Sequence, residues 1–188
     1  MKQIKHQSLL MVIGLIMIAV IFYSLGLSLV FLGSENNLQE NFQRSLMIFM
    51  PIGFIILPSL IIKNQLTKES EISFNWKQYL MFSIAIYIFN SLFIKSDEYF
   101  QQLVVSASEE VLFRYILYRL LREDYSKLIV VLITSLLFGF ILHMNYPVID
   151  NLLIRTPLGL LFSILAMKFG LQYSIATHWL YNLVVSRI

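Results

Sequence analysis

Cysteine is absent from this chain of 188 residues. Its absence excludes disulfides, cysteine-based metal sites and a cysteine nucleophile. No histidine is followed directly by glutamate, so the H-E-x-x-H helix of zinc proteases is missing. The sequence also has neither a G-x-S-x-G turn for a serine nucleophile nor a glycine-rich phosphate loop. These absences exclude several common hydrolase and nucleotide-binding sites.

Charge is scarce as well. Charged residues make up 13% of the chain, and the net charge is only +3. No basic stripe with interleaved aromatic residues occurs, so the sequence predicts no nucleic-acid partner. The few charges are informative for membrane orientation and for the functional site.

Hydrophobic residues, in contrast, make up 58% of the sequence, and the mean hydropathy is +0.74. This composition is typical of membrane proteins. Apolar runs of bilayer-spanning length predict an all-α, polytopic transmembrane helix bundle of about seven spans. The predicted spans are Leu9–Leu32, Leu46–Ile62, Tyr79–Ile94, Tyr99–Leu121, Leu128–Met144, Leu152–Met167 and Leu171–Val185. We treat residues 1–188 as one membrane-embedded domain, with accessory spans in 1–98 and the functional core in 99–188.

Lysine and arginine are unevenly distributed over the predicted loops. With the N-terminus inside, the cytoplasmic segments hold Lys2, Lys5, Lys63, Lys68, Lys77, Arg119, Arg122, Lys127 and Lys168. The outer segments hold Arg44, Lys95, Arg155 and Arg187. Because cytoplasmic loops of membrane proteins carry an excess of these residues, the distribution predicts an N-in, C-out topology. The Lys-, Ile- and Asn-rich composition indicates an AT-rich bacterium, so we expect the multi-pass protein to lie in a bacterial cytoplasmic membrane.

Three charged residues, Glu109, Glu110 and Arg114, lie near the middle of the fourth predicted span. A charge at the centre of a membrane helix costs about 2.5–3.5 kcal/mol, so the cluster is expected to face protein or water and to be functional. Glu110 and Arg114 are four residues apart and can pair on one helix face. Glu109 lies about 100° around the helix and can point into a cavity as a general base. A structural Glu–Arg pair that locks two helices is the alternative, but the additional Glu109 favours function.

Two of the three histidines also fall in the C-terminal half. His178 and Asn182 are one turn apart on the last span, with Ser174 one turn earlier, and they form a polar stripe. Such side chains can bind a metal, stabilise an oxyanion or simply join two helices by hydrogen bonds. His143 lies at the end of the fifth span. Two histidines and two glutamates can hold zinc or a reactive water.

Further polar residues, Asp150, Asn151 and Arg155, lie between the fifth and sixth spans and at the start of the sixth. We interpret them as a solvated turn whose long side chains reach the membrane surface. On this interpretation they have no catalytic role.

The sequence from about Ser106 to Ser186 resembles the CAAX-protease and bacteriocin-processing family (CPBP, also called Abi) of intramembrane proteases. The first motif of the family, E-E-x-x-x-R, appears as Glu109 to Arg114. The third motif, H-x-x-x-N, appears as His178 to Asn182, after a glycine-led hydrophobic span from 159 to 170.

The second motif departs from the family pattern. The family usually has phenylalanine four residues before its histidine, but here Gly139 holds that position before His143. Phe138 and Phe140 lie on either side of it. Either the phenylalanine is a replaceable packing element or the helix has absorbed one additional residue.

The resemblance implies an all-helical endopeptidase with roles for these residues. Glu109 would activate a water together with His143, while His178 and Asn182 stabilise the oxyanion and Arg114 holds the second acid. The motif leaves open whether a metal is needed; a zinc ion, if used, would be bound by Glu109, His143 and His178. The predicted catalytic residues are therefore Glu109, Glu110, Arg114, His143, His178 and Asn182.

The leading interpretation is an intramembrane endopeptidase that cleaves a peptide or a membrane-anchored protein, in bacteriocin or peptide-signal processing or in self-immunity. The alternative is a non-catalytic membrane scaffold or immunity protein that binds a peptide or a transporter and uses the polar cluster for packing. A small proton-coupled transporter also fits buried carboxylates, but the chain lacks repeat symmetry and paired broken helices.

Overall fold

Seven helices make up the chain in a computed structural model that describes residues 2–31, 38–66, 69–142 and 146–187. No β-strand occurs within these ranges. The helices are α1 (Lys2–Phe31), α2 (Leu38–Ile62), α3 (Trp76–Ile94), α4 (99–122), α5 (Lys127–Ile141), α6 (Val148–Phe169) and α7 (Leu171–Val185). The prediction of an all-helical architecture is confirmed, and each predicted span has a corresponding helix.

Four of these helices are long and apolar enough to cross a membrane: α1, from Gln7 onward, together with α2, α3 and α6. Helix α5 is apolar but shorter. Helix α4 carries five charged residues, and α7 is only 15 residues long, or about 22 Å at 1.5 Å per residue. Seven crossings and the N-in orientation therefore remain predictions, whereas a helical bundle with four candidate membrane spans is observed.

Helix α4 lies at the centre of the described bundle and contacts α1, α2, α5, α6 and α7. Its buried apolar residues, among them Leu112, Phe113, Ile116 and Leu117, form the middle of the main hydrophobic cluster. Large apolar residues on the outer helices are exposed instead, including Leu10, Met17, Leu60 and Phe93. An apolar surface of this extent suits contact with lipid. The charged helix is thus the one best shielded by the rest of the chain.

Four helices contain a π-helical segment: Ile52–Ile56 in α2, Asn90–Ile94 in α3, Val111–Leu117 in α4 and Asn151–Arg155 in α6. A π-helical turn accommodates one more residue than an α-helical turn and is frequently found at functional sites. The segment in α4 contains Arg114, directly after the two acids. The segment in α6 contains Arg155, which lies on a cavity described below.

The beginning of α7 is fixed by a glutamine that reaches across the bundle. The side chain of Gln172 accepts a hydrogen bond from the backbone N–H of Asn75 at 3.0 Å and donates one to Oε1 of Gln78 at 2.7 Å. Gly170, at φ +105°, makes the sharp connection between α6 and α7 that a side chain would strain. These contacts set the position of the helix that carries Ser174 and His178.

Helices α5 and α6 approach each other closely at Gly139. A Cβ atom added there would lie 3.0 Å from the backbone nitrogen of Thr156 and 3.1 Å from the carbonyl oxygen of Asn151, and it would also meet the Thr156 hydroxyl. No phenylalanine fits at this position. The departure from the family motif is consistent with this packing, because the backbone of α6 leaves no space for a side chain at Gly139.

Replacing Gly139 by alanine is expected to lower the free energy of unfolding by about 1–3 kcal/mol, since an extra methyl group overpacks this contact. Gly14 is the matched control: a Cβ added there has no atom within 4 Å. Gly14→Ala should leave stability unchanged or raise it by up to about 1 kcal/mol through helix propensity. Thermal unfolding of the purified variants in detergent measures both effects. Equal stability of the two variants would contradict the close contact.

Candidate active site

Helix α4 brings the two acids and the arginine of the first motif to its buried face. Glu110 is 0% exposed and Arg114 is 1% exposed. Nε of Arg114 lies 3.3 Å from Oε2 of Glu110, as the i, i+4 spacing predicts. The pair removes most of the net charge from the centre of the bundle.

Helix α7 supplies two further partners for Glu110. The hydroxyl of Ser174 donates a hydrogen bond to Oε2, and Nδ1 of His178 lies 2.9 Å from Oε1. With Arg114, the Glu110 carboxylate therefore has three partners from two helices. A carboxylate held in this way is fixed in orientation and is not available to a substrate.

The guanidinium of Arg114 is surrounded by aromatic rings. Its Cζ atom lies 4.5 Å from the centroid of Phe138, 5.8 Å from that of Phe113 and 6.0 Å from that of Phe162. Nη1 and Nη2 have no hydrogen-bond partner among the described residues. Stabilisation of this buried charge thus comes from Glu110 and from cation–π contacts.

His178 is held by the same aromatic residues. Its ring stacks on Phe162 at 4.7 Å with an interplanar angle of 18°, and Phe138 meets it edge-on at 5.6 Å. While Nδ1 faces Glu110, Nε2 lies 3.8 Å from Oε2 of Glu109. The imidazole therefore bridges the two acids and presents its second nitrogen to Glu109.

A cavity of about 730 Å³ opens in front of these residues. Glu109, His178 and Asn182 line it, whereas Glu110 and Arg114 do not. The neighbouring acids thus have different surroundings, because Glu110 is enclosed by protein and Glu109 faces open space. A volume of this size admits a peptide segment and water.

Residues 99–184 match a family model described as Rce1-like, type II CAAX prenyl endopeptidase. Because of this similarity we call residues 99–184 the Rce1-like domain. The match confirms the resemblance to the CPBP family that the motifs indicated. The family that the match names is one of proteases. No curated protein and no solved structure matches the chain.

One predicted site residue of the Rce1-like domain, His143, lies outside the described residues, so its role stays a prediction. Ile141 and Leu142, which precede it in sequence, line the cavity. Phe138, one position before Gly139, packs against both Arg114 and His178. It provides an aromatic contact to the site that Gly139 cannot.

The remaining predicted residues lie together. Glu110 contacts both Arg114 and His178, and His178 also contacts Glu109. Asn182 lies on the same cavity one turn beyond His178. Ser174, part of the polar stripe, donates a hydrogen bond to Glu110. The periodicity of the sequence indicated the stripe but did not show that it packs against α4.

Sequence reasoning missed the opposite wall of the cavity. It comes from α1 and α2, outside the Rce1-like domain, and includes Tyr23, Ser24, Leu46 and Met50. These residues are either apolar or isolated polar residues within apolar helices. The sequence pattern therefore did not distinguish them from lipid-facing residues.

The interpretation of residues 150–155 as a solvated turn is wrong for Asn151, which is 2% exposed and lies inside the π-helical segment of α6. It is buried because α6 packs against α5 at Gly139, next to the Asn151 carbonyl. Arg155 is half-buried and lines the cavity instead of extending to the membrane surface.

The donor set for a metal is small in the described part of the chain. No group of three His, Asp or Glu side chains there could hold a metal ion. Nδ1 of His178 is used by Glu110, which leaves Nε2 and the Glu109 carboxylate, 3.8 Å apart, as the two described donors that meet at this point of the cavity wall. Two donors are fewer than the three protein ligands that catalytic zinc ordinarily has. The described residues alone do not fit a zinc ion.

Proposed function

We propose that the protein is an intramembrane endopeptidase that hydrolyses a peptide or a membrane-anchored protein with a water activated by Glu109. The observation that carries this proposal is that the two neighbouring acids have different surroundings. Glu110 is fixed by three partners, and Glu109 faces the cavity beside His178 and Asn182. A carboxylate in that position is the expected general base of a hydrolase.

In the proposed reaction, Glu109 accepts a proton from a water in the cavity, and the resulting hydroxide attacks the scissile carbonyl carbon. The carbonyl oxygen becomes an oxyanion, which receives hydrogen bonds from Nε2–H of His178 and from the Asn182 carboxamide. Glu109 then transfers its proton to the leaving amine as the C–N bond breaks. His143, the second residue of the motif, assists Glu109 in this proposal.

Glu110 and Arg114 are positioning residues in this scheme. Glu110 bonds Nδ1 of His178 and so directs Nε2 towards Glu109 and the cavity. The two ring nitrogens of His178 therefore have separate roles in this proposal, Nδ1 towards Glu110 and Nε2 towards the developing oxyanion.

The proposal includes a membrane context. The chain is taken to cross the bacterial cytoplasmic membrane seven times, N-in and C-out, with its substrate in peptide-signal or bacteriocin processing or in self-immunity. An inert scaffold or immunity protein requires neither an open cavity nor an acid at its wall. The position of Glu109 in the wall of the cavity therefore favours the enzyme.

We propose further that the reaction needs no metal ion. The purified full-length chain should release peptides that carry one ¹⁸O atom at each new C-terminus in H₂¹⁸O, both with and without 1,10-phenanthroline. Mass spectrometry measures the incorporation. Activity that disappears with the chelator and returns with Zn²⁺ would contradict the metal-free mechanism but not the protease. Identical peptide pools with and without the protein would favour the scaffold.

A further inference from the structure

Among the described residues, Arg155 contributes the one guanidinium that lines the cavity. It ends the π-helical segment of α6, seven residues before Phe162. Seven residues correspond to about 10 Å along an α-helix axis. Because Phe162 stacks on His178, Arg155 lies well away from the reacting groups and towards the end of the cavity formed by helix termini.

The guanidinium is held in place by two neighbours. Its Cζ atom lies 3.7 Å from the centroid of the Tyr146 ring, and Nη1 donates to Oδ1 of Asn151 at 3.3 Å. Asn151 itself is buried. Stacking and a fixed hydrogen bond reduce the number of rotamers available to this long side chain, so its orientation is prepared before any ligand binds.

No described carboxylate forms an ion pair with Arg155. The acidic residues that share its cavity, Glu98 and Glu109, repel an anion, whereas His178 lies at the reacting end. The guanidinium therefore combines a fixed orientation, N–H donors in addition to the one that Asn151 accepts, and a positive charge at the end of the cavity away from His178. Carboxylates match the fork of an arginine in geometry and charge.

We propose that Arg155 is a specificity-determining residue that binds a carboxylate of the substrate. This carboxylate belongs to a different substrate residue from the one whose carbonyl is attacked. This inference rests on the proposed function, because it takes the cavity to be a peptide-binding site. The carboxylate is either the C-terminus of the substrate or an Asp or Glu side chain. Both sources offer the same chemistry, and matched peptides distinguish them.

The test is peptide binding to the full-length Glu109→Gln protein in detergent, which removes turnover from the measurement. The probes are four pools of fluorescein-labelled apolar hexapeptides. One pool has a free C-terminal carboxylate and one a C-terminal amide; the other two are amidated and carry an internal Asp or an internal Asn. Fluorescence polarisation gives the dissociation constants.

We expect the free-carboxylate pool to bind about 10-fold tighter than the amide pool, or the Asp pool about 10-fold tighter than the Asn pool, the worth of a charge-assisted hydrogen bond. The first result identifies a C-terminal carboxylate and the second a side chain. Arg155→Gln should abolish the preference, and Arg155→Lys should retain part of it. Arg187→Gln, which removes an exposed arginine outside the cavity lining, should retain it fully.

Equal binding of all four pools overturns the inference, as does a preference that survives in Arg155→Gln. Thermal unfolding of Arg155→Gln and Arg155→Lys establishes that a lost preference is not lost folding. Cleavage assays on the wild type separate the two proposals. Carboxylate-dependent binding without any cleavage would support the anion site and contradict the proposed protease function. Cleavage without a carboxylate preference would support the protease function and contradict the anion site.

Discussion

Replacing Glu109 by glutamine is expected to lower peptide hydrolysis by about 10²–10⁴-fold, the range for loss of a general base. Glutamine has nearly the same shape and still forms hydrogen bonds, but it cannot accept the proton of the attacking water. Because Glu109 lines the cavity and lies 3.8 Å from His178, the substitution leaves the buried pair behind it intact. The readout is the set of new peptide termini released by cells that express each variant, measured by mass spectrometry.

Two controls make this comparison decisive. Glu40→Gln changes an exposed carboxylate on α2, outside the cavity lining, and should release the same peptides as the wild type. Thermal unfolding of Glu109→Gln should give a midpoint close to that of the wild type. If the folded Glu109→Gln protein releases an unchanged set of termini, Glu109 is not the base, and the scaffold interpretation replaces the protease.

Replacing Arg114 by methionine is expected to lower the free energy of unfolding by about 3–5 kcal/mol, because it leaves the buried Glu110 carboxylate without its cation. Methionine fills a similar space among Phe113, Phe138 and Phe162 but provides neither charge nor cation–π contact. Denaturant titration of the purified variants, followed by circular dichroism, measures the change.

The exposed pair of Glu40 and Arg44 provides the matched control, since it has the same i, i+4 spacing. Arg44→Met should change the free energy of unfolding by no more than about 1 kcal/mol, as for other exposed ion pairs. Adding Glu110→Gln to Arg114→Met should recover part of the lost stability by removing the unpaired charge. Equal losses of unfolding free energy in Arg114→Met and Arg44→Met would show that the buried Glu110–Arg114 pair contributes no more to stability than an exposed pair.

The sequence was sufficient to predict the helical architecture and the pairing of Glu110 with Arg114, because both depend on local periodicity and spacing. It also predicted that Glu109 and Glu110 have different surroundings, since adjacent residues on a helix point about 100° apart. These features lie within single helices. They need no knowledge of how the helices are arranged.

Contacts between helices could not be predicted from the sequence. The polar stripe of Ser174 and His178 was visible, but periodicity shows which residues share a face and not which helix meets that face. The burial of Asn151 and the exclusion of any side chain at Gly139 both follow from the close approach of α5 and α6. Likewise, Tyr23 became a cavity residue only through the packing of α1 across from α4.

The two-part wall of the cavity has a consequence for selective inhibition. A compound that engaged only Glu109 and His178 would contact residues of the two motifs that carry the resemblance to the family. A compound extended towards Tyr23 and Ser24 would also contact α1, which lies outside the family domain. Compounds built across both walls could therefore discriminate between proteases whose reacting groups are the same.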